Sequence, residues 1–164
     1  MRNLRLILWM APIFVALTWA CTRHPPSSAA SAAGFISTLS KQSPTHDGVP
    51  LRRYDIRDLD DDGSFEVLEH VSAYEDTPGF LNTELEDAFE WINVYRQKSG
   101  QFIQATNEFP SFLTVRKDNY QFWLRVLDCP DVLNGDSRML VEKNRSQFKE
   151  ALSKYLVEVE RLSH

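Results

Sequence analysis

The chain has 164 residues, with 18 Lys plus Arg against 23 Asp plus Glu and a formal charge of -5. That balance excludes an electrostatic nucleic-acid binder, which needs a basic face, and suits acidic loops that attract cations. Hydrophobic residues at 43% and aromatics at 12% are enough to build the core of one modest domain.

The first 20 residues, MRNLRLILWMAPIFVALTWA, begin with Arg2 and Arg5 and then run uncharged from residue 6 to residue 20. Such a run falls short of the roughly 20 apolar residues a bilayer-spanning helix needs. A basic start, a short apolar run and a small-residue exit describe a secretory signal peptide over residues 1 to 20. The run stops at Thr18-Trp19-Ala20-Cys21. This stretch resembles the lipobox of bacterial lipoproteins, and the resemblance covers residues 1 to 21. It implies cleavage before Cys21, acylation of Cys21 and attachment to a membrane through that lipid. The pattern departs from the family in having Thr18 where Leu is usual, with Leu17 one step earlier, and in the bulk of Trp19. Residue 22 is Thr and not the Asp that retains such proteins at the inner membrane, so the resemblance implies an outer-membrane address in the cell envelope. The alternative is an ordinary cleaved signal and a secreted or periplasmic soluble protein, in which Cys21 and Cys129, the two cysteines, could pair.

Residues 22 to 34, TRHPPSSAASAAG, are expected to form a flexible spacer, since they bring little apolar surface to bury. Residues 35 to 164 then form a single domain, opening with a helical turn or two around Phe35, Ile36 and Leu39. SPTHDGVP, residues 43 to 50, reads as loop. LRRYDIR (51 to 57) reads as a strand with Tyr54 and Ile56 on one side. FEVLEHVSAY (65 to 74) also reads as a strand, with Phe65, Val67, Val71 and Ala73 alternating and Glu69 breaking the face.

Thr83-Glu84-Leu85-Glu86 matches a capping box. WINVYRQ (91 to 97) and QFIQAT (101 to 106) flank a turn at Lys98-Ser99-Gly100, a hairpin in which Ile92 and Val94 oppose Trp91, Asn93 and Tyr95. Residues 111 to 127 read as a helix, with Phe112, Val115, Phe122 and Val126 near helical spacing. Residues 128 to 137 read as loop, with Cys129 expected to be a buried, inert thiol. Phe148, Leu152, Tyr155, Val159 and Leu162 mark an amphipathic helix over about 138 to 162. The whole reads as an α+β domain: a small antiparallel sheet of hairpins with a long C-terminal amphipathic helix packed on it.

The stretch that carries chemistry is DLDDDGSFEVLE, residues 58 to 69. Calcium takes six to eight oxygen ligands, and alternate residues of a tight loop can converge on one point. Asp58, Asp60 and Asp62 supply carboxylates, Gly63 the sharp turn, Ser64 a carbonyl, Glu66 the ninth position and Glu69 the twelfth. Clustered acids repel one another, and a divalent cation gives a physical reason for grouping them. The spacing is similar to that of EF-hand loops, but the Tyr54/Ile56 alternation and Pro50 oppose the entering helix those loops require. YDIRDLDDDGSFEVL more closely resembles the strand–loop–strand calcium loops of FG-GAP and related bacterial repeats. That resemblance implies Asp58, Asp60, Asp62, the Ser64 carbonyl and Glu66 as ligands of Ca2+, with Glu69 optional. The bland reading is a solvated acidic turn that keeps a hairpin soluble.

Elsewhere the signals are weaker. His24, His46, His70 and His164 lack zinc spacing, and no nucleophile motif or Gly-rich phosphate loop is present. Glu84, Glu86, Asp87 and Glu90 read as a solvated helix face rather than paired catalytic acids. The aromatics of residues 109 to 123 read first as core and second as a glycan or peptide surface. The expectation is therefore a non-enzymatic, lipid-anchored envelope protein with one structural calcium loop and a binding or scaffolding role toward a protein partner. The alternatives are a metal-free lipoprotein or an enzyme accessory subunit.

Overall fold

The computed structural model describes residues 27–77 and 79–164. The signal-peptide reading and Cys21 lie outside these residues. The architecture is mixed helix and sheet, as expected: a four-stranded antiparallel sheet, a small two-stranded sheet and a long C-terminal helix.

Helix α1 spans Ala29–Ser40, which corrects the spacer reading for residues 27 to 34. Four of its first five residues are Ala, the strongest helix former. Ser28 caps it by accepting from the Ser31 N–H at 3.1 Å. Small side chains allow close packing as well as flexibility. In fact Ala32 is fully buried, and Phe35 stacks on Phe102 and edges Tyr95 at centroid distances of 4.7 and 5.3 Å.

Residues 43 to 50, expected as loop, contain a miniature hairpin of β1 (Thr45–His46) and β2 (Val49–Pro50). Its turn residues, Asp47 and Gly48, both have positive φ, at 51° and 79°, the geometry that Asp-Gly favours. The main sheet follows: β3 (Arg53–Arg57), β4 (Glu66–Ser72), β5 (Glu90–Lys98) and β6 (Gln101–Gln104), in that order and all antiparallel. The β5–β6 turn is Ser99-Gly100, again with both φ positive.

Between β4 and β5, α2 (Thr83–Glu86) is capped by Asn82, whose side chain accepts from the Leu85 N–H. The cap is thus one residue earlier than the capping-box reading placed it. Helix α3 spans Pro110–Asp128 and α4 spans Gly135–Leu162, with a kink at Asn144. Asn134 caps α4 through the Ser137 N–H at 2.9 Å, so the helix starts three residues before the hydrophobic stripe suggested.

Two cores result. One lies between the sheet and the start of α3, with Leu68, Ile92, Val94, Ala105 and Phe109 buried. The other joins α2, α3 and α4 beside the sheet, with Phe89, Leu113, Tyr120, Leu127, Phe148 and Leu152 buried. The C-terminal stripe packs as read: Phe148, Leu152 and Val159 are buried, and Tyr155 lies 5.7 Å from Trp91 of the sheet and 5.1 Å from Tyr120 of α3. Helix α3 exists where expected but its phase is corrected. Leu113, Tyr120 and Leu127 face inward at intervals of seven, and Val126 of the expected set is buried with them, while Val115 and Phe122 are exposed. Cys129 is exposed too, not buried.

Candidate metal centre

The loop joining β3 to β4 is shaped by its own carboxylates. Asp58 accepts from the N–H groups of Asp62 (3.2 Å) and Gly63 (2.9 Å), and Asp62 accepts from that of Ser64 (2.7 Å). Asp61 and Gly63 sit at positive φ, 56° and 82°, and so turn the chain back on itself. This wrapping gathers Asp58, Asp60 and Glu66 so that one carboxylate oxygen of each lies within 4.8 Å of the others. A hard, all-oxygen donor set of this kind suits Ca2+ or Mg2+ and not the softer transition metals.

Not every expected ligand joins. Asp62 stands outside the three-carboxylate cluster and ties the loop internally, and the bond the structure gives Ser64 is the one from its N–H to Asp62. Glu69 is on the other side of the sheet. Glu66 and Glu69 are three residues apart on one strand, and an odd offset places side chains on opposite faces of a pleat. Glu69 is buried there, accepting from Arg52 Nη1 (3.0 Å), Asn93 Nδ2 (3.0 Å) and Tyr95 Oη (2.8 Å). The segments that flank the loop are the strands β3 and β4, as their alternation predicted.

A residue that the acid pattern did not reveal completes the cluster. Arg96 of β5 donates from Nε to Glu66 Oε1 (3.0 Å) and from Nη2 to Asp60 and to Asp62 (3.2 Å). Its guanidinium also stacks over Phe109, 4.7 Å from the ring centroid. The signal was available in the strand parity. Arg96 shares its face with Ile92 and Val94, and a charge on a core face calls for a buried partner. One guanidinium among Asp58, Asp60, Asp62 and Glu66 leaves the loop strongly anionic, and Asp58 forms no ion pair among the described residues.

Burial pushes the Glu66 carboxyl above its ordinary value even though the Leu59 N–H and Arg96 pull the other way. Burial opposes the Arg96 charge, but Asp60 and Glu66 outweigh it and hold that guanidinium above its ordinary value.

Two further acids are buried in the sheet. Glu69 has just been described. Burial raises its pKa, but Asn93, Tyr95 and Arg52 together outweigh that and bring it below the usual range. Glu90 was expected on a solvated helix face, yet it is buried at the start of β5, where it meets His70 Nδ1 (2.9 Å) and Arg53 Nη2 (2.6 Å). Burial lifts its carboxyl, and those two partners more than reverse the effect.

Ser27 binds the exit of the acidic loop: its hydroxyl donates to the Phe65 carbonyl at 2.6 Å and accepts from the Phe65 N–H at 2.8 Å. Comparison of the chain with protein-family models, with curated proteins and with solved structures finds no match.

Proposed function

We propose that this is a non-enzymatic lipoprotein of the bacterial envelope, anchored through Cys21, whose domain binds or scaffolds a partner and is stiffened by one calcium ion at the β3–β4 loop. The observation that carries the metal reading is the convergence of Asp58, Asp60 and Glu66 oxygens within 4.8 Å of one another. A divalent ion offsets more of their charge than Arg96 alone.

The role is structural. An ion held by Asp58 and Asp60 in the loop and Glu66 at the first position of β4 ties the register of β3 against β4. The attachment of Ser27 to Phe65 adds a mechanical reason. The segment leading toward Cys21 meets the domain at the end of this loop, so tension on a lipid anchor is delivered beside the ion. Calcium affinity in the weak extracellular range, ~10⁻⁴–10⁻³ M, suits an envelope protein bathed in the ion.

The test of the metal is thermal unfolding in chelator and in calcium. A rise in melting temperature that Asp60→Ala abolishes supports the reading, and no rise refutes it. The anchor is tested separately, by expression in bacteria with a lipid-labelling precursor. Label incorporated in the full chain and lost in Cys21→Ser is expected; an unlabelled chain refutes the anchor and leaves the metal untouched.

A further inference from the structure

A cleft of about 580 Å³ lies between the sheet and α3, reaching Leu59 at the edge of the acidic loop. Its volume is that of a small-molecule site. Leu68 and Ile92 form an apolar strip on its floor, and Phe112 and Val115 of α3 form the wall. Val115 is 65% exposed. The register of α3 thus turns apolar side chains into this opening that a purely structural helix would have kept polar.

The charges around the strip are nearly all committed to one another. Asp55 meets Arg57 (3.1 Å) and His70 Nε2 (3.3 Å); Asp87 meets Arg53 (3.0 Å); Glu90 meets Arg53 and His70. The exception is Arg116. Among the described residues it has no carboxylate partner. Its Nη2 donates to the Glu90 carbonyl (2.7 Å) and to Tyr120 Oη (3.1 Å), and the guanidinium is held over the Tyr120 ring at 4.8 Å. Arg116 Nε and, one turn on, Asn119 Oδ1 are buried with no hydrogen-bond partner. Buried polar atoms are nearly always satisfied. Here the hydrogen bonding of the wall is incomplete at the one cation that lacks a counter-charge.

We infer that this cleft binds a small organic monocarboxylate with an apolar body, the carboxylate on Arg116 and the body along Leu68, Ile92, Phe112 and Val115. With Nη2 fixed by the Glu90 carbonyl and Tyr120 Oη and with Nε buried, the guanidinium is held in place and offers Nη1 to a carboxylate. A single negative charge fits the single uncommitted cation. A phosphate or dicarboxylate is disfavoured, because Asp55, Asp87 and Glu90 line the same cleft and repel a second charge. A neutral apolar ligand leaves Arg116 uncompensated.

The experiment uses the full chain with labelled Ile, Leu and Val methyl groups, titrated with 3-phenylpropionate and with its neutral amide, 3-phenylpropionamide. Methyl shifts at Leu68, Ile92 and Val115 are expected with the carboxylate, which should bind roughly tenfold tighter than the amide. Arg116→Gln should bring the carboxylate down to the affinity of the amide. Should Arg116→Gln fail to fold, Val115→Asp decides: it alters an exposed position, leaves the inward-facing methyls of Leu113 and Leu127 unchanged, and should abolish carboxylate binding. Equal affinity for acid and amide, carboxylate binding untouched by both variants, or no shift at these methyls up to the solubility limit overturns the inference.

Discussion

Replacing Arg96 by Gln separates its contribution to the acidic loop from that of the calcium ion proposed there. Glu66 is fully buried, and removing one partner of a buried ion pair typically costs about 3–5 kcal/mol. The Arg96 side chain is 19% exposed, so water reaches its place and the low end applies, about 3 kcal/mol. The pairs to Asp60 and Asp62, whose side chains are 39% and 47% exposed, add less than ~1 kcal/mol. Loss of the stack on Phe109 adds about 0.5–1 kcal/mol. Urea unfolding in chelator should therefore place Arg96→Gln roughly 3.5–5 kcal/mol below the parent, a melting-temperature loss of about 10–15 °C. The pH dependence has a definite sign. A carboxyl whose folded pKa exceeds its unfolded value favours the folded state only when protonated, so the deficit is full at neutral pH and shrinks as pH falls through that raised value. If the proposed ion binds with a dissociation constant of ~10⁻⁴–10⁻³ M, calcium at ~10 mM should stabilise by about 1.4–2.7 kcal/mol. The gain should be larger in Arg96→Gln than in the parent, because the ion no longer shares Asp60 and Glu66 with a guanidinium. The double variant Arg96→Gln/Glu66→Gln should be more stable in chelator than Arg96→Gln alone. A single-variant loss under ~1 kcal/mol, or a double variant less stable than the single, would refute Arg96 as the counter-charge of Glu66. An equal calcium gain in parent and variant would refute an ion bound among these carboxylates.

Two other outcomes follow from the packing. Glu69→Gln should cost about 1–3 kcal/mol at neutral pH. Because the folded pKa of Glu69 is depressed, its contribution is present above the unfolded value of about 4.3 and lost as pH falls through the folded one. The urea midpoint of the variant should accordingly change less between pH 6 and pH 3 than the parent's does, and parallel profiles would refute the assignment. Leu113→Ala should cost about 2–5 kcal/mol, whereas Val115→Ala, at a position 65% exposed, should lie within about 0.5 kcal/mol of the parent; the reverse order would put α3 back in the phase its sequence first suggested.

That phase shows where one-dimensional reading stops. Phe112, Val115, Phe122 and Val126 recur at helical spacing, and so does the set Leu113, Tyr120 and Leu127; both satisfy a 3.6-residue period. Hydrophobicity alone prefers the first, but the packing of Tyr155 on Tyr120 at 5.1 Å selects the second, and of the first set only Val126 is buried with it. The last helix was legible because its stripe is bordered by charges on both sides and has no rival face. The β5–β6 hairpin was legible because Gly100 marks its turn and Ile92 and Val94 alternate with polar positions. Residues 27 to 34 are ambiguous in the sequence because Ala suits both a linker and a helix, and the burial of Ala32, on α1, is a tertiary fact. In the acidic loop the spacing of Asp58, Asp60 and Glu66 did foretell their convergence. It could not foretell Arg96, which lies thirty residues downstream of Glu66 and reaches it only once β5 pairs with β4.

The buried acids of the sheet follow one rule: each has an arginine from a different strand or loop. Glu66 has Arg96, Glu69 has Arg52 and Glu90 has Arg53. Such pairs are poor evidence for stability, since desolvation consumes much of the Coulombic gain. Their consequence here is registration. A one-residue slip of β4 would turn Glu66 and Glu69 to the opposite faces, each away from its guanidinium. Two unpaired carboxylates would then be buried, at several kcal/mol apiece. The apolar residues of β4, Val67, Leu68 and Val71, fall on both faces and specify register weakly. The charges therefore decide it, and an ion bound by Asp58, Asp60 and Glu66 would reinforce the register that Arg96 already selects.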